Sequence, residues 1–298
     1  MAGRLFIFGL GYSGLEIARL ARAAGWHVAG TCTSEEKTRR LRENGVVAYP
    51  FEGTTPLPAE TLADITHVVS TIAPGTAGDP VLSTCRGLFR RVRWLGYLST
   101  TGVYGDQGGG WVDETSVPRP MQPRSVARLA AERGWQALAL EAAVTLDIFR
   151  LPGIYGPGRS VIEQVNAGTA RRIDKPGQVF SRIHVEDVAG TVLLAITQRH
   201  AGSIYNVADD LPASSGDVVA YACGLLDKPV PPLIPWSEAQ AELSPMARSF
   251  YAENRRVRNE RIKNELGVVL RYPTYREGLQ AIASSLAGAS TSRSAHES

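Results

Sequence analysis

Apolar and polar positions alternate along the chain in short blocks. Leu5, Phe6, Ile7 and Phe8 form an uninterrupted apolar run, which predicts a buried strand. Gly9-Leu10-Gly11-Tyr12-Ser13-Gly14 follows, then a helical pattern with Leu15, Ala18 and Leu20 apolar, closed by Gly25. A second apolar strand runs from Trp26 to Ala29. Further strands are predicted at Val46 to Phe51, at Thr66 to Ile72 and from Trp94, with a helix over Val81 to Arg93 between the last two. Strand and helix signals in alternation predict an α/β chain with a doubly wound parallel sheet.

Later segments predict a smaller C-terminal substrate-binding region. Leu211 to Leu226 reads as helical, Pro229 to Pro235 as an extended linker, and Arg255 to Glu265 as a charged helix with Val257 and Ile262 inward, ended by Gly267. The stretch from Ala287 is rich in Ser, Ala and Thr and predicts disorder. The expected division is a dinucleotide-binding core over 1–154, completed by strand segments within 182–210, with a substrate-binding region over 155–181 and 211–282 and a disordered tail over 283–298. There is no internal repeat.

The first block carries the clearest chemistry. G-x-G-x-x-G at Gly9, Gly11 and Gly14 sits between a strand and a helix, inside a unit of about thirty residues, the setting of a Rossmann dinucleotide site. Gly9 suits the tight turn, Gly11 lets the backbone approach a pyrophosphate, and Gly14 lets helix and strand pack closely. Tyr12 and Ser13 lie at the helix N-terminus, where free N–H groups and the helix dipole attract phosphate. The plainer alternative is a tight turn in an α/β protein that binds nothing.

The tip of the second strand carries Thr31, Thr33 and Ser34, followed by Lys37, Arg39 and Arg40, where an NAD site usually has a carboxylate. Hydroxyls and cations favour NADP; Glu35, folding back toward a ribose, keeps NAD open, and the cations also fit an ordinary solvated helix face. Ser70, Thr71 and Ala73, at the end of the fourth strand, are candidate cofactor neighbours. His67 reads as structural.

Composition narrows the partners. In 298 residues the formal charge is +3, which makes no case for nucleic acid or a membrane surface. No apolar run approaches the roughly eighteen residues of a membrane span. Cys32, Cys85 and Cys223 are odd in number and far apart, which predicts free thiols. With no leader pattern at the start, the expected location is the cytoplasm. No histidine or cysteine cluster has metal spacing, so no metal is expected.

Ser99-Thr100-x-x-Val103-Tyr104-Gly105 resembles the strand-end motif of the extended short-chain dehydrogenase/reductases, which include the NAD-dependent epimerases and dehydratases. Asp113-Glu114-Thr115 and the Pro-rich stretch after it resemble that family's loop before its catalytic helix. Arg150-Leu151-Pro152-Gly153-Ile154-Tyr155-Gly156-Pro157-Gly158-Arg159 resembles its R-x-x-x-x-Y-G-P-G segment. Arg182-Ile183-His184-Val185-Glu186-Asp187 resembles its later strand-to-helix junction, and Tyr205-Asn206-Val207 a further strand. The resemblance spans about Leu5 to Leu279. It implies hydride transfer on a sugar-like or nucleotide-sugar substrate, Thr100 as the active-site hydroxyl, Pro152 beside the cofactor, and compatibility with a homodimer.

The chain departs from the pattern in two places. The family's G-x-x-G-x-x-G has Phe8 at its first position, with Gly9 supplying the turn. Its Tyr-x-x-x-Lys pair, aligned through Glu132, falls on Arg124 and Arg128. Arginine stays protonated and is a poor general acid or base, but it clamps phosphate and carboxylate well. Arg128 is a candidate for holding the nicotinamide ribose, and Tyr104 and Tyr155 are candidate replacement acids. Trp111, beside the glycine-rich Asp106 to Gly110 loop expected to be mobile, is a candidate lid contact. Arg159, Arg171, Arg172 and Arg182 are candidate diphosphate grips or plain surface charges, and His184 a candidate pocket residue or a structural one. The Tyr12-Ser13 turn lacks the second glycine of a hydrolase elbow. Two other functions remain open: an NADP-binding protein that senses redox state without catalysis, and an epimerase that retains its cofactor.

Overall fold

The structure is a computed structural model that describes residues 3–89, 91–198 and 201–294. Its strands, in chain order, are β1 (Arg4–Phe8), β2 (His27–Cys32), β3 (Val47–Pro50), β4 (His67–Ser70), β5 (Trp94–Thr100), β6 (Trp111–Val112), β7 (Thr145–Leu151), β8 (Gly153–Tyr155), β9 (Arg172–Asp174), β10 (Arg182–His184), β11 (Ile204–Asn206), β12 (Leu233–Pro235) and β13 (Arg256–Val257). The α-helices are α1 (Tyr12–Ala23), α2 (Glu35–Glu43), α3 (Pro80–Thr84), α4 (Pro123–Ala142), α5 (Val161–Asn166), α6 (Val185–Thr197), α7 (Ser215–Leu225), α8 (Trp236–Glu242), α9 (Pro245–Phe250), α10 (Glu260–Leu266) and α11 (Tyr275–Ser294).

Seven strands pair in parallel in the order β11-β7-β5-β4-β1-β2-β3. Successive side chains of a strand point to opposite faces, and β1 shows why its run is apolar throughout. Leu5 and Ile7 join the cluster that holds Ile17 and Ala21 of α1 and Val188 and Val192 of α6. Phe6 and Phe8 join the opposite cluster, with Phe89, Trp135 and Leu138. Helices cover both faces, so no position on β1 between these layers can be polar without a partner. Strand order reverses between β1 and β4, which opens a crevice at the strands' C-terminal ends.

The short strands form three parallel pairs, β8 with β10, β9 with β12 and β6 with β13. A smaller core joins Ile162 and Val165 of α5, Val218, Val219 and Ala222 of α7, and Leu279 and Ile282 of α11.

Local expectations and structure differ at four places. The helix expected over Val81 to Arg93 stops at Thr84 and gives way to a 3-10 turn at Arg86–Leu88. The helix expected over Arg255 to Glu265 is divided: Arg256 and Val257 pair with β6, and only Glu260–Leu266 is helical. Val257 and Ile262 are both buried, but from separate elements, because each segment meets a different neighbour. The linker at Pro229 to Pro235 ends as β12, paired to β9. Helix α11 continues to Ser294, where disorder is expected from residue 283; Leu279, Ile282 and Ala283 anchor it, and residues 295–298 lie outside the described ones. The three cysteines are buried free thiols.

Candidate cofactor crevice and substrate pocket

The glycine turn joins β1 to α1. Gly9 has φ +94°, a left-handed conformation that a side chain would strain. A Cβ on Gly14 would lie 2.1 Å from the Gly9 carbonyl oxygen, so close packing demands glycine there. A Cβ on Gly11 would meet nothing within 4 Å. The fold does not need glycine at 11; the missing side chain leaves open space over the first turn of α1. The first N–H groups of that turn have no partner within the helix. Open space beside free donors fits a pyrophosphate.

Threonines brace this turn. Thr31 Oγ1 accepts the Gly9 N–H at 2.9 Å, and Thr71 Oγ1 donates to the Gly9 carbonyl at 2.6 Å. These two candidate cofactor contacts bond the protein's own backbone. Ser34 caps α2 by accepting the Lys37 N–H. Thr33 is exposed and Lys37 half-buried, and no carboxylate lies in residues 31–34. Ser70 is fully buried, and its Oγ has no hydrogen-bond partner among the described residues. Ser13 is half-buried in the first turn of α1. Tyr12 donates to the Pro157 carbonyl at 3.2 Å and lies under the Arg159 guanidinium, 5.5 Å from its ring centroid. Burial pushes its phenol up to about 12, against the charge of Arg159.

Beside the crevice lies a cavity of about 600 Å³. Thr100, at the end of β5, lines it, and its Oγ1 accepts the Gly102 N–H at 3.1 Å. Ala73 and Pro152 also reach its wall. Five arginines line it: Arg124, Arg128, Arg159, Arg182 and Arg255. Arg124 and Arg128 stand one turn apart on α4. Arg128 donates to the Leu98 carbonyl at 2.7 Å, so the C-terminal part of β5 fixes its guanidinium. Arg124 donates to Met246 Sδ and lies over the Phe250 ring, 4.5 Å from its centroid. Arg182 donates to the carbonyls of Phe180 at 2.7 Å and Ala213 at 3.1 Å. Burial draws its basicity down, and burial pushes Asp209 up to about 8 although the charge of Arg182 opposes this. Among the described residues, Glu253 is the one carboxylate in the pocket's lining.

Several sequence candidates lie elsewhere. Tyr104 is fully buried, donates to Asn206 Oδ1 at 2.8 Å and sits beneath the Arg150 guanidinium; it does not line the pocket. The Tyr155 hydroxyl approaches the Thr274 carbonyl at 3.4 Å, with its ring in the core shared with α11. It borders an adjoining cleft instead of the main pocket. Burial raises the pKa of both phenols. Neither phenol, expected as a replacement acid, lines the pocket that holds Thr100. Trp111 is exposed, lies under Arg258 and stands outside the pocket. The loop expected to be mobile is tied down: Gln107 and Gly109 donate to the Asn254 carbonyl, and Asp106 accepts the Asn254 N–H. His184 is buried as the N-cap of α6, its ring between Tyr155 and Tyr272, and burial pulls its pKa to about 4. Arg171 pairs with Glu242 at the surface, and Arg172 bonds the carbonyls of Gly216 and Pro231.

Two residues of the recognised motifs hold the frame. Glu132 and Arg150 form a buried ion pair at 2.7 Å, and Ser99 donates to the same carboxylate. The pair ties α4 to β7. Arg255, Glu253 and Tyr251 were not legible as site residues; Arg255-Arg256-x-Arg258 is the only signal the sequence offers, and it reads equally as a solvated face.

Fold and crevice define a Rossmann-type α/β protein with a cationic pocket at the C-terminal ends of the sheet's strands. The model of the NAD dependent epimerase/dehydratase family matches residues 75–208 of the chain. It is 29% identical to Protein YeeZ of Escherichia coli strain K12 over 217 residues, 68% of this chain and 77% of that one. It resembles the structure of a functionally unknown conserved protein from Silicibacter pomeroyi with 44% identity and TM-score 0.87, covering 95% of this chain and 99% of that chain. A UDP-glucose 4-epimerase from Thermotoga maritima, solved with UDP-glucose, shares the fold at 17% identity and TM-score 0.76, covering 96% and 99%.

Proposed function

We propose that the chain binds NADP(H), in preference to NAD(H), across the Gly9 to Gly14 turn, and an anionic sugar-like ligand of the nucleotide-sugar class in the arginine pocket, and transfers hydride between them. One observation carries this reading: five guanidinium groups converge on a cavity whose wall includes Thr100, at the edge of the crevice. Guanidinium forks suit phosphate and carboxylate oxygens. The UDP-glucose held by the Thermotoga maritima relative supports the ligand class. Thr33, Ser34 and Lys37, without a carboxylate in residues 31–34, support NADP.

The dinucleotide, when bound, exchanges hydride with a carbinol or carbonyl carbon. Tyr12, Ser13 and Gly14 offer it the N–H groups of the first turn of α1. Thr100 orients the substrate oxygen, and Arg128, fixed by the Leu98 carbonyl, stabilises charge on that oxygen or holds the nicotinamide ribose. A guanidinium is a poor general acid or base, so the pair at positions 124 and 128 does not replace Tyr-x-x-x-Lys in proton transfer. Lack of a positioned acid slows turnover by about 10²–10⁴-fold.

A second reading, a catalytically degenerate NADP-binding sensor, is favoured by the placement of Tyr104 and Tyr155 outside the pocket. Titration with NADPH and NADH, followed by single-turnover absorbance of the reduced nicotinamide with nucleotide sugars, tests both. Tight NADPH binding with slow turnover is expected. Binding without any turnover leaves the sensor, and failure to bind either dinucleotide sinks both readings.

A further inference from the structure

Glu253 is a residue that the family motifs do not reach. It is 9% exposed and sits on the segment between α9 and β13 that crosses the arginine pocket. Its Oε2 accepts from Arg255 at 2.6 Å, and Arg255 is held in turn by the Gly105 carbonyl at 2.8 Å. Its Oε1 is buried and has no hydrogen-bond partner among the described residues. Gln178 donates to the Glu253 carbonyl at 2.9 Å, which fixes the backbone beneath it. A buried carboxylate oxygen without a donor is costly, and such orphans mark places where a ligand completes the bonding. The carboxylate repels an anionic group there and the five arginines of the lining repel a cationic one, so the missing partner is a neutral donor.

We propose that Glu253 determines substrate specificity: its free oxygen accepts a hydrogen bond from a hydroxyl of the ligand whose anionic part the arginines hold. The proposal rests on the reading of the pocket as an anion site. It adds a requirement that arginines alone do not impose, because a ligand with the same charge but no hydroxyl leaves Oε1 unpaired. Sites built to bond a substrate hydroxyl discriminate strongly against analogues that lack it.

The hydroxyl in question is one on the sugar beyond the diphosphate, so the test is calorimetric titration of the full chain with UDP-glucose and with UDP, which keeps its ribose but lacks the glucose hydroxyls. In Glu253→Gln the amide oxygen turns to Arg255, and the NH2 group faces the ligand, a donor where an acceptor stood. The expected result is a fall of roughly tenfold to a hundredfold in the UDP-glucose to UDP affinity ratio, the scale of one charge-assisted hydrogen bond, while UDP itself binds no more weakly. Glu253→Asp, which keeps the charge but withdraws it by one methylene, should lower the same ratio and guards against a misfolded glutamine variant. UDP binding with an unchanged ratio in both variants overturns the role of Glu253 and leaves the anion pocket standing. If UDP does not bind the wild-type chain, or binds Arg182→Ala equally well, the anion reading falls, and this proposal with it.

Discussion

The crevice at β1 and β4 and the pocket above β5 differ in what they are made of. The crevice presents backbone: the Gly9 to Gly14 turn, the first N–H groups of α1, and threonines 31 and 71 turned inward to brace them. The pocket presents side chains: arginines from α4, from the loop after β8, from β10 and from the segment before β13. A backbone site is local, needing one short segment and a few small residues. A side-chain site is assembled from distant segments, and its charge arises only when loops bring them together. One family can therefore keep the crevice while the pocket changes.

The largest expected effect falls on the frame the two regions share. Arg150→Met leaves Glu132 buried without its partner and should cost about 3–5 kcal/mol in urea unfolding. A loss below about 1 kcal/mol would mean that the pair does not hold α4 to β7. Next comes the crevice. Gly11→Val should reduce dinucleotide affinity at least about a hundredfold, ~2.7 kcal/mol, with an unchanged melting temperature, since its Cβ meets no protein atom. Gly14→Val should instead lower the melting temperature, because its Cβ strikes the Gly9 carbonyl. Equal melting of the two variants would erase the distinction between a glycine kept for ligand and one kept for packing.

On the pocket side, Arg182→Ala should weaken UDP about tenfold, ~1.4 kcal/mol, with dinucleotide affinity unchanged. Parallel loss of both ligands would show that the two regions are one site. The buried imidazole of His184, between Tyr155 and Tyr272, gives a smaller, pH-dependent signal. His184 has its folded pKa pulled to about 4, below the ordinary 6.5, so its neutral form stabilises the fold fully above pH 6.5. That contribution is lost as pH falls from 6.5 toward 4, at about 1 kcal/mol per pH unit at most. His184→Asn, which keeps an N-cap acceptor, should flatten that part of the melting profile, and an unaltered slope would assign it to other groups. The smallest effect is expected from Tyr104→Phe. It should cost about 1 kcal/mol of stability, from the lost bond to Asn206, and leave any alkaline limb of activity in place. Disappearance of the limb would return Tyr104 to the catalytic machinery.

The sequence was most readable where structure follows from neighbours. The uninterrupted run at Leu5 to Phe8 and the spaced glycines specify strand, turn and helix within one segment. Arg128 was legible as a pocket residue because helical spacing from Glu132 sets its place on α4. Val257 misled for the opposite reason: a charged stretch with inward apolar residues fits helix and strand alike, and pairing with β6 decided between them.

By itself, the chain's order of residues determined the parallel sheet, the glycine turn, the free thiols and the Arg124–Arg128 substitution, because hydrophobic period, turn chemistry and motif spacing are local. Tertiary structure alone decided which polar groups remain free to act. It buried Tyr104 against Asn206 and turned Tyr155 toward α11. It engaged Thr31 and Thr71 with the backbone of the turn, and it carried Glu253 and Arg255 into the pocket from near the end of the chain. A phenol or carboxylate has the same chemistry anywhere in a sequence. Whether it meets a ligand or its own backbone depends on where packing stops the loops that carry it.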